Sequence, residues 1–205
     1  MNIAVLASHE GTTLQAVLDA CCEGRIAARV ALVISNNAAA GALRRARQAQ
    51  VPALHLSSAA LVDAAQLDRA MCSALQAHAI DLVLLAGYMK RIGPITLGAF
   101  PGRILNTHPA LLPKFGGRGL YGMAVHRAVL ASNERISGAT IHLADGEYDT
   151  GPVLAQVTVP VERPETAEAL AARVQRAERA LVVQVLAEIA SGRRPLPLVD
   201  PAGVA

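Results

Sequence analysis

Tryptophan is absent from this chain of 205 residues, which holds three tyrosines and two phenylalanines. A core with so few rings has to be built from Ala, Val, Leu and Ile, the composition of a buried parallel sheet covered by Ala-rich helices. A platform for single-stranded nucleic acid needs aromatics beside its basic residues, and this chain has almost none to give. The charge excess is small, +3. Its densest basic stretch, Arg44, Arg45 and Arg47, reads as a solvated helix face, so no nucleic-acid partner is expected. Cysteine is scarce as well: Cys21, Cys22 and Cys72. An odd count is poor material for a disulfide framework, and the adjacent pair lacks metal-ligand spacing. They read as buried small hydrophobes in a reducing compartment. No apolar run approaches the ~20 residues of a membrane helix. The short apolar stretch at the start has no basic residues ahead of it, unlike a secretory signal. A cytoplasmic protein without a membrane partner is expected.

Hydrophobic residues make up 53% of the chain, which excludes intrinsic disorder, and the length suits one domain over residues 1–205. Apolar runs and helical patterns alternate through the first half. Strand-like runs cover residues 3–7, 30–35, 53–56, 81–86 and 103–106, and helical patterns cover 14–23, 41–50 and 64–78. Such alternation predicts an α/β fold: a Rossmann-like three-layer sandwich, mostly parallel, with helices on both faces. The second half breaks the alternation. After a Pro-rich loop, residues 138–144 and 153–159 read as an antiparallel C-terminal β pair. Residues 164–189 read as a final helix, and 191–205 as a loosely ordered tail. Ligands of such sheets sit beyond the carboxyl ends of the strands, which directs attention to residues 8–13, 35–37 and 87–92.

The densest chemical signal is Asn106-Thr107-His108-Pro109-Ala110-Leu111-Leu112-Pro113, directly after a predicted strand. Alternation puts Asn106 and His108 on one side. An amide and an imidazole there can donate to a developing oxyanion and handle the proton of an attacking amine. A polar loop with a satisfied histidine is the plainer alternative. The second signal is Asp145-Gly146-Glu147-Tyr148-Asp149-Thr150-Gly151-Pro152. A carboxylate from this loop, best Asp149, set beside an imidazolium fixes its tautomer and favours its charge; an ordinary acidic turn or a weak cation site is the alternative. The third is the loop of residues 8–13, where a strand, a glycine, small hydroxyl residues and a helix start form an arrangement suited to phosphate, or a plain turn. It is neither a Walker loop nor a G-x-G-x-x-G fingerprint. No His/Cys/Asp/Glu grouping has metal spacing, so no metal is expected.

Together these pieces resemble the folate-dependent formyltransferases, and among them the phosphoribosylglycinamide formyltransferases of purine synthesis. The resemblance rests on Gly11-Thr12-Thr13-Leu14-Gln15-Ala16, Ser35-Asn36, Leu85-Ala86-Gly87-Tyr88-Met89, the run from Leu105 through Pro113 to Phe115, residues 138–142, and Asp149-Thr150-Gly151-Pro152-Val153. It extends to about residue 190. It implies transfer of a formyl group from 10-formyltetrahydrofolate, a co-substrate, to the amine of glycinamide ribonucleotide. It assigns catalysis to Asn106, His108 and Asp149, and the ribonucleotide to Gly11, Thr12, Thr13 and Glu178. It assigns the folate to Met89, Lys90, Arg91, Ile92, Asn106, Leu143, Ala144 and Asp145. It implies small-molecule partners and a monomer or homodimer. Related deformylating enzymes carry an extra N-terminal domain and tRNA-formylating enzymes an extra C-terminal one, so neither of those activities is expected of this chain. The chain departs from the family pattern with Thr12-Thr13 where close relatives have Ser-Asn, and with Ala64 where many have Arg. Its Gly-rich segment, residues 116–123, is longer than in many members and reads as a lid.

Overall fold

Strand residues that point alternately to two apolar sides need cover on both, and that requirement sets the architecture. The computed structural model describes residues 1–57 and 63–198. Its strands are β1 (Asn2–Leu6), β2 (Arg29–Ser35), β3 (Ala53–His55), β4 (Leu82–Leu85), β5 (Ile104–His108), β6 (Ile136–Leu143) and β7 (Val153–Pro160). They form one sheet in the order β3-β2-β1-β4-β5-β6-β7. The first five run parallel; β6 is antiparallel to β5, and β7 to β6. The helices are α1 (Thr12–Cys22), α2 (Gly41–Gln48), α3 (Ala64–Ala77), α4 (Pro94–Ala99), α5 (Met123–Ala131) and α6 (Ala167–Ala190). The chain therefore adopts the α/β sandwich with an antiparallel C-terminal pair that its pattern predicts.

The strands divide their side chains between two cores. Ile3 and Val5 of β1, with Leu82 and Leu84 of β4, pack against Leu14 and Val17 of α1 and Val182 and Val185 of α6. The intervening Ala4, Leu6, Val83 and Leu85 pack with Met71 and Leu75 of α3 on the other face. Each fully buried aliphatic side chain of this kind contributes about 1.5–3 kcal/mol. A third cluster, Val129, Ala139, Val159, Leu170 and Val174, joins α5 and α6 to the antiparallel pair. Among the described residues no helix is long and apolar enough to cross a membrane.

Several local expectations change. The stretch after β4 contains α4, and the Gly-rich segment ends at Gly122, where α5 begins. β5 runs two residues past Asn106, through His108. Of the cysteines only Cys72 is buried; Cys22 is exposed and Cys21 half-buried, because they occupy the last turn of α1, where one side faces solvent. The basic face of α2 is not wholly solvated. Arg44 pairs with the Glu10 carboxylate at 3.3 Å, and half-buried Arg45 donates to the Glu10 carbonyl at 2.8 Å and to Gln15 at 3.0 Å. The segment 191–205 is described as far as Leu198, which is buried and donates its N–H to the Gly102 carbonyl at 2.7 Å. Residues 199–205 lie outside the described residues.

Candidate active site

β5 carries the centre of the site. Its odd-numbered Leu105 belongs to the core under α1 and α6, whereas Ile104 belongs to the opposite core. Parity therefore sends Asn106 and His108 toward the α3 and α4 face. In the antiparallel pairing Asn106 lies opposite His142, so the two side chains share that face. Asp149, from the loop between β6 and β7, closes the group. Its Oδ1 accepts from Asn106 Nδ2 at 3.3 Å and lies 3.5 Å from His142 Nε2. Its Oδ2 accepts from the Gly117 N–H at 3.0 Å and lies 3.3 Å from His108 Nδ1. Burial works to raise the Asp149 carboxyl, but the hydrogen bond and charge of His108 and the Gly117 N–H outweigh it and hold the group well below the usual carboxylate range.

The ring nitrogens are accounted for by their partners. His108 Nε2 donates to the Phe115 carbonyl at 2.8 Å, and Nδ1 faces the Asp149 carboxylate. Both neighbours are acceptors, so the doubly protonated ring satisfies both. His142 Nδ1 donates to the Leu143 carbonyl at 2.8 Å, which leaves Nε2 to accept from Asn106 Nδ2 at 3.0 Å. That bond orients the Asn106 amide. His126, in the first turn of α5, is buried with no hydrogen-bond partner on Nδ1, and its burial together with the His108 charge lowers its pKa, favouring a neutral ring.

A second group lies on the opposite face of the sheet. Gly11 caps α1 with φ 70, and a Cβ there would stand 2.8 Å from Ala42 Cα, so only glycine fits. Thr12 is the exposed first residue of α1, and Thr13 is buried, donating to Glu178 of α6 at 3.2 Å. Burial raises the pKa of Glu178, while hydrogen bonds from Thr13 and Thr107 and the nearby Arg179 and His108 charges oppose this. Thr107 thus ties this group to β5.

The description of the formyl transferase family matches residues 1–186. The chain belongs to that family. The phosphoribosylglycinamide formyltransferase of Escherichia coli is 38% identical over 193 residues, 94% of this chain and 89% of that protein. A chloroplastic protein of the same name from Arabidopsis thaliana is 42% identical, over 94% of this chain and 66% of that protein. This chain thus spans about two thirds of the plant relative's length. The crystal structure of glycinamide ribonucleotide transformylase 1 from Symbiobacterium toebii superposes with a TM-score of 0.88 at 43% identity, covering 94% of this chain and 89% of that chain.

Within this formyl transferase, Asn106, His108 and Asp149 come together in one hydrogen-bonded group. Gly11, Thr12, Thr13 and Glu178 gather on the other face. Met89–Ile92 follow β4: the Met89 N–H donates to Ser8 Oγ at 2.8 Å, and Ile92 is buried in the α3 core. Lys90 is exposed. The Arg91 side chain turns to the loop after β6, where it meets the Gly146 carbonyl, pairs with Glu147 at 3.0 Å and lies over the Tyr148 ring. Leu143 ends β6, Ala144 packs at the edge of the α3 core, and Asp145 braces its own loop by accepting from Glu147 N and Thr150 Oγ. Ala64 is the exposed first residue of α3. His142, Thr107 and the Phe115 carbonyl are the site groups to which the sequence assigns no role, and Ser8 is marked there only as part of the loop of residues 8–13. Alternation within residues 138–144 would have marked Thr140 and His142 as one polar side; the others depend on contacts that only the fold creates.

Proposed function

We propose that this chain transfers the formyl group of 10-formyltetrahydrofolate to the amine of glycinamide ribonucleotide, giving the formylated ribonucleotide and tetrahydrofolate. The observation that carries this is the Asp149 carboxylate gathered with Asn106 and His108 into one partly buried hydrogen-bonded group in a chain similar over 94% of its length to proteins named for this transfer. The amine attacks the formyl carbon, the carbonyl oxygen becomes an oxyanion, and the C–N10 bond breaks after the amine proton leaves and N10 gains one. His108 in its doubly protonated form and the Asn106 amide supply N–H groups to that oxygen. Asp149 stabilises the charge on His108 and so sets its competence as a donor.

These donors already have internal acceptors: Phe115 O for His108 Nε2, and His142 and Asp149 for Asn106 Nδ2. A substrate oxygen replaces one of those acceptors, so the exchange is one hydrogen bond for another and costs little. Gly11, Thr12 and Thr13 at the start of α1 serve the ribonucleotide phosphate through backbone N–H groups and the helix dipole, with Glu178 on its sugar or amine. Met89, Lys90, Arg91, Ile92, Leu143, Ala144 and Asp145 serve the folate.

The test is release of tetrahydrofolate followed by absorbance. Release that requires glycinamide ribonucleotide supports the proposal; release without it indicates hydrolysis. His108→Ala is expected to lower kcat by at least about 100-fold, the size of a lost proton-transfer or oxyanion donor. A variant near the wild-type rate would overturn the assignment of His108.

A further inference from the structure

Ser8 is the second residue beyond β1, and β1 lies between β2 and β4 in the sheet. The chain winds outward from β1 through β2 to β3 and then returns to place β4 on β1's other side, so the gap between the ends of β1 and β4 is the switch point where such sheets bind ligands. Ser8 is buried, 3% exposed, and its polar groups reach both neighbours. Its N–H donates to the Gly87 carbonyl at 3.1 Å. Its carbonyl accepts from Asn37 Nδ2 at 3.3 Å. Its hydroxyl donates to Asn36 Oδ1 at 2.5 Å and accepts the Met89 N–H at 2.8 Å.

The three chain segments joined here have different destinations. Residues after Ser8 lead to Gly11, Thr12 and Thr13 on the α1 face. Met89 leads to Ile92 on the α3 face. Asn36 and Asn37 belong to the turn that leads to α2, whose Arg45 holds the Glu10 carbonyl. One hydroxyl therefore sets the position of the segment on each side.

We infer that Ser8 is a positioning residue that holds the donor and acceptor halves of the site in register, an inference that rests on the formyl-transfer reading. Ser8 does not reach the Asn106, His108 and Asp149 group. Its removal leaves the Met89 N–H and Asn36 Oδ1 without their partner and loosens both binding segments together, while the chemical step keeps its groups.

Ser8→Ala is expected to raise KM for the folate and for the ribonucleotide alike, by about 3- to 10-fold each, the range that one lost hydrogen bond produces. Its kcat is expected to stay within about twofold, and Ser8→Thr, which keeps the hydroxyl, to restore both KM values. A rise in only one KM, a fall in kcat at unchanged KM, or wild-type behaviour overturns the inference. Should Ser8→Ala fail to fold, Asn36→Ala removes only the hydroxyl's acceptor; the same double rise supports the inference, and its absence overturns it. Calorimetric titration of wild type with a 10-formyl folate analogue and with glycinamide ribonucleotide, each alone, separates the two failures. A wild type that binds neither sinks the formyl-transfer reading. A wild type that binds both, matched by Ser8→Ala, sinks only the role of Ser8.

Discussion

Asp149 sits at φ 59, a left-handed backbone that Asp enters more readily than most residues, and the Gly117 N–H and the side chains of Asn106, His108 and His142 surround its carboxylate. Because its folded pKa lies below the ordinary value near 3.8, ionised Asp149 contributes stability that is complete above that ordinary value. The contribution is lost as pH falls through the depressed folded value. Asp149→Asn is therefore expected to be less stable than wild type at pH 7, with the difference shrinking below about pH 4. Urea melts at pH 7 and pH 3 check this; a difference that is constant or grows in acid contradicts it. Asn106 and His108 were legible in the sequence because two residues apart on a strand means one side. His142 was not, because its relevance lies in the cross-strand partner Asn106, which the sequence does not name. The internal partners of the His108 ring were hidden for the same reason: the Phe115 carbonyl has no side chain to announce it.

Asp68 shows the same limit for a whole element. It is a buried residue of α3, yet its carboxylate accepts the Ile95 N–H at 2.7 Å, the Thr96 N–H at 3.0 Å and the Thr96 hydroxyl at 2.6 Å. These are unpaired groups at the start of α4, which has no capping side chain of its own. Gly93 leaves the room: a Cβ there would fall 2.2 Å from the Asp68 carboxylate. Asp68→Ala is expected to cost about 2–4 kcal/mol, since it strands several buried donors at once. Asp68→Asn, which keeps one good acceptor, should lose markedly less. Equilibrium urea denaturation measures both, and equal losses would show that the carboxylate's double acceptance is irrelevant. α4 escaped the sequence reading because six residues opening on proline carry too little periodicity to register. α5 escaped because it follows directly on a Gly-rich stretch that reads as loop. The long, periodic α3 and α6 were legible, with ends shifted by a few residues at most.

At the scale of the molecule the sheet divides the site. The parallel alternation and the antiparallel pair were plain in the sequence, but which helices cover which face was not, and that decides that Asn106 and His108 face the α3 side while Thr107, Thr13 and Glu178 meet on the other. On the proposed reading the two substrates approach from opposite faces and meet at the end of β5. Hydrogen exchange tests this. A folate analogue alone is expected to slow exchange in residues 88–92 and 145–150, and the ribonucleotide alone in residues 11–15 and around Glu178. Protection of both sets by either ligand would refute the division. A partition of this kind also has a consequence for descent. On the proposed reading the groups that receive the ribonucleotide stand on α1 and α6 and those that receive the folate follow β4, so each set can change under its own selection. If that reading holds, a lineage can exchange the amine it formylates by altering Thr12, Thr13 and Glu178 while inheriting the folate half intact.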